Sequence, residues 1–422
     1  MARIVTSLPP RIENLVIGAG QAGLAMSWHL QRAGREHVVL ERRSTLGGGW
    51  QDRWDGFRLV TPNWSASFPD APYDGDEPDG YMRRDELVAR ISRYADTIAA
   101  PVMLDAGVER MVPKGDAWQV DTTQGYVVAD KVIVATGGFA VPRVPPVSDE
   151  LPRGVLQLHA HDYRREADLP PGAVLVVGSG QTGVQLTEEL LEAGREVYLC
   201  VGSAGRVPRR YRGRDIFHWL AHVVEDGPSF GTVLPTAPQL PDPRMRFAGN
   251  PQLSGHGGGH EPDLRAMARD GAVLLGRLKG VDGSRCYLGD DLMRDLDAAD
   301  RFFDERFREL IDAYIEAAGV DAPPPEPRPH ADYEPVPHDM VDLDAAGIST
   351  VLWTCGYRPD YSWIDAPVTD ELGLPVQDRG VTEIPGLFFI GSLWQYDLAS
   401  ATLVGLRRDA RMLAERMGLR LN

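Results

Sequence analysis

The chain reads VIGAGQAGLAMSWHLQRAGREHVVLE over Val16–Glu41 and, without a gap, VVGSGQTGVQLTEELLEAGREVYLCV over Val176–Val201. The second copy lies 160 residues downstream, and ten of the 26 aligned positions are identical. Each copy carries G-x-G-x-x-G between an apolar run and a helical pattern. Glycines are needed there because the backbone must turn sharply and come close to a pyrophosphate. The helix N-terminus then presents free N–H groups and its positive dipole end to that anion. One such fingerprint is weak evidence. Two in register predict two nucleotides held by separate βαβ units.

The copies differ where the adenosine ribose is read. Glu41 ends the first copy, and a carboxylate there accepts from ribose hydroxyls and repels a 2′-phosphate. The first site therefore suits FAD or NAD. The matching residue of the second copy is Val201, and Arg206, Arg209 and Arg210 follow it. Guanidinium pairs bidentately with phosphate, so the second site is expected to take NADPH.

Outward from the fingerprints, Leu15–Ile17 and His37–Leu40 are expected strands around the helix Leu24–Ala33, which Gly34 stops. Residues 44–80 are rich in Gly, Pro, Asp and Trp and form an expected loop. A helix over Asp85–Ala99 and strands over Val102–Met111, Trp118–Thr122 and Val127–Ala135 come next. Asp297–Ala318 is an amphipathic helix with Phe303, Phe307, Leu310, Ile311, Tyr314 and Ala318 on one face. A proline-rich stretch, Pro323–Pro337, is the expected return to the first domain, which ends with a strand at Leu387–Ile390 and a helix around Leu403–Met417. The predicted fold is α/β, with two Rossmann-like dinucleotide-binding domains, the NADPH domain inserted into the FAD domain. Residues 1–165 and 330–422 would form the FAD domain. Residues 166–329 would form the NADPH domain, with a variable insertion at 212–300.

Formal net charge is −17, so neither nucleic acid nor an anionic membrane surface is an expected partner. The three cysteines, Cys200, Cys286 and Cys355, form no C-x-x-C pair, which argues against a structural zinc site and a local redox dithiol. The opening MARIVTSLPPRIENLV lacks signal-peptide character and no apolar run reaches the length of a membrane span; the expected location is cytoplasmic. His256-Gly-Gly-Gly-His260 has zinc-like spacing, but three glycines make the required helix improbable. No metal is expected there, and the loop is expected to gate a substrate.

Further motifs carry a family resemblance. Gly47-Gly48-x-Trp50 follows the first fingerprint, then come Ala135-Thr136-Gly137-Gly138-Phe139-x-x-Pro142, Trp353-Thr354-Cys355-Gly356-Tyr357-Arg358-Pro359, and Gly386-Leu387-Phe388-Phe389-Ile390-Gly391. With both fingerprints, this pattern resembles the class B flavin-dependent monooxygenases over nearly the whole chain except about residues 212–300. That family carries F-x-G-x-x-x-H-x-x-x-[WY] before its second fingerprint. Here PRGVLQLHAHDY over Pro152–Tyr163 keeps His159 and Tyr163 but has Pro152 near the Phe position and one residue too many before His159. His159 is accordingly expected to be a structural linker residue. The resemblance implies an NADPH- and O2-dependent enzyme that passes one oxygen from a flavin hydroperoxide to a small organic substrate, at nitrogen or sulfur first. A homodimer is allowed for. An NAD(P)H-dependent reductase or oxidase serving a quinone or redox partner is the alternative.

Asn63, in Thr61-Pro62-Asn63-Trp64-Ser65, is the catalytic candidate, placed where the family has its flavin-facing loop. FAD would be held by Gly18, Gly20, Gln21, Ala22, Gly23, Glu41, Gly48, Trp50, Thr61, Val108, Thr136, Gly137, Gly391 and Thr402. Thr402 closes a segment expected to put helix N-terminal amides near the flavin. NADPH would be held by Gly178, Gly180, Gln181, Thr182, Gly183, Ser203, Arg206 and Arg209.

Overall fold

In the computed structural model, which describes residues 2–248, 250–327 and 332–420, two sheets carry the two fingerprints. The first has the strand order Arg3–Ile4, Pro101–Met103, His37–Leu40, Arg11–Ile17, Gly125–Val134, Ala117–Thr122, Val108–Lys114. Leu387–Phe389 joins it in parallel at the C-terminal end of Gly125–Val134. The second sheet is wholly parallel, in the order Val273–Leu275, Val197–Cys200, Ala173–Val177, Ile348–Trp353, Leu156–His159. Its central strand AVLVV is buried along its whole length, as a strand covered on both faces must be.

The fingerprint units are built alike. Leu15 is in register with Val38, and Leu175 with Tyr198, across helices Gln21–Arg32 and Gln181–Glu192. Both helices start on a glycine N-cap, and neither N-cap bonds through a side chain.

The domain boundaries differ from those expected. Leu156–His159 and Ile348–Trp353 fall within the residue ranges expected for the first domain, yet both belong to the second sheet. Ile348–Trp353 supplies the hydrogen-bond partner for one whole side of Ala173–Val177. Without it the central strand would have an open edge. The chain leaves and re-enters the first unit through paired short strands, Val141–Pro142 against Tyr357–Arg358. The insertion is also less irregular than expected. It contains the sheet strand Val273–Leu275 and the hairpin Leu278–Asp282/Arg285–Leu288, onto which Met340–Asp342 adds.

Smaller departures have local causes. The run Val102–Met111 is two strands, because Asp105 takes a left-handed conformation (φ 54°) and breaks it. The helix Leu292–Phe303 continues through a π turn, Asp304–Arg308, into Glu309–Ala317, and Phe303, Phe307, Ile311 and Tyr314 are buried on the expected face. Among the described residues no helix is long and apolar enough to cross a membrane.

Candidate active site

Both fingerprint turns are fixed by close backbone contact. Gly18 has φ +106°, and a Cβ there would lie 2.7 Å from the Ala135 carbonyl oxygen. At Gly23 a Cβ would lie 1.9 Å from the Gly18 carbonyl, so helix and turn touch backbone to backbone. The second turn repeats this: Gly178 abuts the Thr354 carbonyl, and a Cβ on Gly183 would lie 2.0 Å from the Gly178 carbonyl. The middle glycines differ from these. A Cβ on Gly180 would meet nothing within 4 Å, and one on Gly20 only the Gly48 Cα at 3.9 Å. The space over each middle glycine is open, next to uncapped helix amides, and a pyrophosphate fits both places.

One cavity of about 1080 Å³ joins the two turns. Its first-unit wall includes Gly18, Gly20, Gln21, Ala22, Glu41, Gly48, Trp50, Thr61, Val108, Thr136, Gly137, Gly391 and Thr402. Glu41 is buried, and its carboxylate accepts from the N–H groups of Ala19 (3.0 Å) and Arg43 (3.1 Å). Trp50 Nε1 donates to Gln21 Oε1 at 2.6 Å, which pins the Gly48–Asp52 turn to the helix start. Gly391 must be glycine, because a Cβ there would press on Ala22 at 2.9 Å. From the second unit come Gly180, Gln181, Thr182 and Ser203.

Thr61 is buried at the cavity wall, and its hydroxyl has no partner in the protein. A buried unsatisfied hydroxyl is costly, so a ligand group is the natural partner. Arg53, absent from the sequence expectations, is a second residue whose polar atoms are only partly satisfied. Its guanidinium lies 5.8, 5.1 and 5.7 Å from the ring centroids of Phe57, Phe139 and Tyr357, and its Nε has no hydrogen-bond partner. Burial lowers its pKa from the usual arginine value, and Tyr357 and Asp52 oppose the shift. A desolvated cation facing a cavity suits an anionic ligand. The only sequence signal was its place three residues after Trp50.

Three expected roles fail on geometry. Asn63 does not line the cavity. Its amide donates to the Glu77 carbonyl at 2.9 Å and its Oδ1 accepts from the Met82 N–H at 2.6 Å, so both ends are spent closing the 63–82 loop. Arg206 is buried among Glu261 (2.9 Å), Asp263 (3.0 Å) and Asp300 (3.2 Å), three carboxylates that already occupy its guanidinium. Arg209 donates to the Val60 carbonyl at 2.8 Å and pairs with Asp215 at 2.9 Å, with its guanidinium over Tyr81 and Phe217. Neither arginine lines the cavity. Thr402 does reach it, but not from a helix start: the helix begins at Leu406, and the Thr402 hydroxyl donates to the Ala399 carbonyl at 2.6 Å.

Other groups frame the site. His159 lies 3.1 Å through Nε2 from the Gly356 carbonyl and accepts at Nδ1 from the His161 N–H, and burial lowers its pKa. With both nitrogens used, it is a linker brace. His260 and His256 pair with Glu188 and Glu192 of the second fingerprint helix, which ties the glycine-rich loop down beside it. Gln252, another residue the sequence did not single out, is fully buried and donates to the Ser179 carbonyl at 2.7 Å, bracing the second turn from behind. All three cysteines are free thiols; burial pushes Cys355, at the cavity wall, up to about 11.

Comparison with known proteins agrees with this architecture. Residues 15–220 match the family model described as pyridine nucleotide-disulphide oxidoreductase. The chain is 30% identical over 408 residues to an uncharacterized CzcO-like oxidoreductase of Geobacillus kaustophilus (strain HTA426), covering 95% of this chain and 97% of that one. It is 31% identical over 183 residues to a Baeyer-Villiger monooxygenase of Streptomyces coelicolor, covering 42% of this chain and 35% of that one. A doubly substituted flavin monooxygenase from Stenotrophomonas maltophilia shares the fold with a TM-score of 0.66 at 19% identity, over 97% of this chain and 98% of that one. The chain belongs to the class B flavin-dependent monooxygenase family.

Proposed function

We propose that this enzyme uses bound FAD and a nicotinamide dinucleotide to pass one atom of O2 to a small, uncharged, mainly apolar substrate, at sulfur or nitrogen. The observation that carries this reading is the single cavity. Both fingerprint turns open into it, and beyond them it is walled by Ile216, Phe217, Leu220, Leu234, Phe307 and Leu398. These six side chains form an apolar stretch of the wall, and Arg244 and Arg246, which also line the cavity, are paired with Asp242 and Asp370. The apolar stretch would take an apolar substrate and leave an ionised one without a partner for its lost hydration.

FAD, when bound, accepts hydride from the nicotinamide and supplies the oxygen-activating chemistry. The chain's own residues bind, orient and exclude water. The amides after Gly20 and Gly180 would hold the two pyrophosphates, and Glu41 would take the adenosine ribose of the flavin nucleotide. Thr61 offers a hydroxyl donor at the cavity wall, and Arg53 offers a fixed positive charge. The apolar wall keeps water from the reacting atoms. Cys355 stands as a protonated thiol with no dithiol partner, which disfavours electron relay to a disulfide.

Thr61→Val tests the hydroxyl. Because that oxygen has no protein partner, apoprotein stability is expected to hold within about 0.5 kcal/mol. Flavin reduction by the nicotinamide should slow by about tenfold, the worth of one hydrogen bond. Unchanged reduction with a lowered unfolding midpoint would make Thr61 a packing residue.

The substrate reading is tested by substrate-dependent nicotinamide and O2 consumption. Neutral thioethers and hydrophobic amines presented unprotonated should stimulate it; free amino acids and polyamines should not. Stimulation by charged amino acids, or by quinones without O2 uptake, would overturn it.

A further inference from the structure

Given a nicotinamide dinucleotide at the second fingerprint, the part of the proposed function on which this inference rests, coenzyme choice is set by which cations are free there. In a strand–turn–helix–strand unit the adenosine ribose lies beyond the C-terminal end of the second strand. Here that strand is Val197–Cys200, and the cavity wall after it is Gly202, Ser203 and Ala204. None carries charge. A 2′-phosphate bears about −1.5 to −2 charges and needs arginine or lysine to replace its hydration.

Among the described residues, the candidate cations around that point are paired or lie outside the cavity wall. Arg206 is enclosed by three carboxylates, and Arg209 is held by Asp215 and the Val60 carbonyl. Arg210 is exposed and does not line the cavity. Arg277, two residues past the neighbouring strand Val273–Leu275, pairs with Asp291 and Asp295, and Arg294 pairs with the same two. Arg244 and Arg246, which reach the cavity from the Pro243–Phe247 turn, pair with Asp242 and Asp370. Arg143 and Arg358 also line the cavity, but on the paired linker, Arg143 just after Val141–Pro142 and Arg358 within Tyr357–Arg358, which follows Ile348–Trp353. The strand order puts that linker on the opposite side of Ala173–Val177 from Val197–Cys200, away from the adenosine ribose. Nor is there a carboxylate at the ribose position: Val201 stands there, fully buried.

We infer that the second site neither selects nor rejects the 2′-phosphate, so that NADH serves as well as NADPH, and that Gly202 is the position that sets this indifference. A Cβ at Gly202 would meet nothing within 4 Å, its φ lies outside the left-handed range, and the residue lines the cavity, so a longer side chain has room there. An arginine at that position would supply the missing phosphate partner.

The test needs no turnover. Calorimetric titration of the FAD-loaded protein with 5′-AMP and with adenosine 2′,5′-bisphosphate should give Kd values within about threefold of each other, whereas a site built for the 2′-phosphate separates them by about a hundredfold. Gly202→Arg should tighten the bisphosphate by about tenfold relative to AMP, the worth of one charge-assisted contact. Anaerobic bleaching of the flavin by NADH and by NADPH should proceed at rates within about threefold. Tenfold or greater preference for the bisphosphate in the unaltered chain, or no binding of either nucleotide, overturns the inference. Bleaching by neither coenzyme, with the two adenosine nucleotides still bound equally, overturns the proposed function and leaves the site's indifference standing.

Discussion

Gly183→Ala is expected to yield a protein that keeps FAD and is no longer reduced by nicotinamide nucleotides, and Gly23→Ala one that cannot hold FAD at all. The reason is the same in both turns. A methyl group at either position would sit within about 2 Å of a carbonyl oxygen of the preceding turn, Gly178 or Gly18, and both neighbours are backbone. Neither can rotate away, so the helix must retreat from the turn. That carries its N-terminal amides off the pyrophosphate. A misplacement of about 1 Å can cost about a hundredfold in rate, and losses of at least that size are expected in the rate of flavin bleaching for Gly183→Ala. The retained flavin absorbance of that variant, against its loss in Gly23→Ala, separates the two sites. Retention of both activities in both variants would show that the turns bind no dinucleotide.

The second large effect is on stability. Arg408→Leu should lower it by about 3–5 kcal/mol, the typical cost of removing one partner from a buried ion pair. Arg408 is enclosed by Asp397 (2.5 and 2.9 Å) and Asp409 (2.7 Å), all with side chains nearly inaccessible. Burial already raises the pKa of Asp409. Without the guanidinium, two carboxylates would be left facing each other out of water. The trio also ties helix Leu406–Arg416 to the 394–402 turn at the cavity wall, where Trp394 and Ala401 take left-handed conformations (φ 54° and 67°). Such strain persists only while the surroundings enforce it. Urea denaturation should therefore show a lower midpoint, and flavin should be released before global unfolding. A variant with wild-type midpoint and flavin affinity would mean that the trio holds nothing together.

What could be read from sequence was what local sterics dictate. The glycine spacings and the strand–helix–strand periodicity follow from contacts within a few tens of residues, and the structure places them as the pattern requires. What was misread depends on distant partners. Arg206 looked like a phosphate reader because its carboxylates, Glu261, Asp263 and Asp300, lie far along the chain, and Arg209 because the Val60 carbonyl that holds it lies 149 residues earlier; Asp215, six residues after Arg209, was in view and its pairing was missed. Asn63 looked catalytic because nothing in Thr61-Pro62-Asn63 reveals that Glu77 and Met82 consume its amide. Its neighbour Thr61, with an unspent hydroxyl, is the residue that faces the cavity. The domain boundary failed for the same reason. Ile348–Trp353 pairs with Ala173–Val177 across some 170 residues, and no local pattern assigns a buried apolar strand to one sheet over another.

In the proposed reaction, electrons from a nicotinamide and one atom of O2 meet in the cavity that joins the two fingerprint turns. Its most direct test is turnover of the FAD-loaded protein with a neutral apolar thioether under isotope-labelled O2. The expected product is a sulfoxide carrying one labelled oxygen, with one nicotinamide oxidised for each product molecule. Nicotinamide oxidation that yields only hydrogen peroxide or reduced quinone, with no label in any organic product across neutral thioethers and amines, would contradict it.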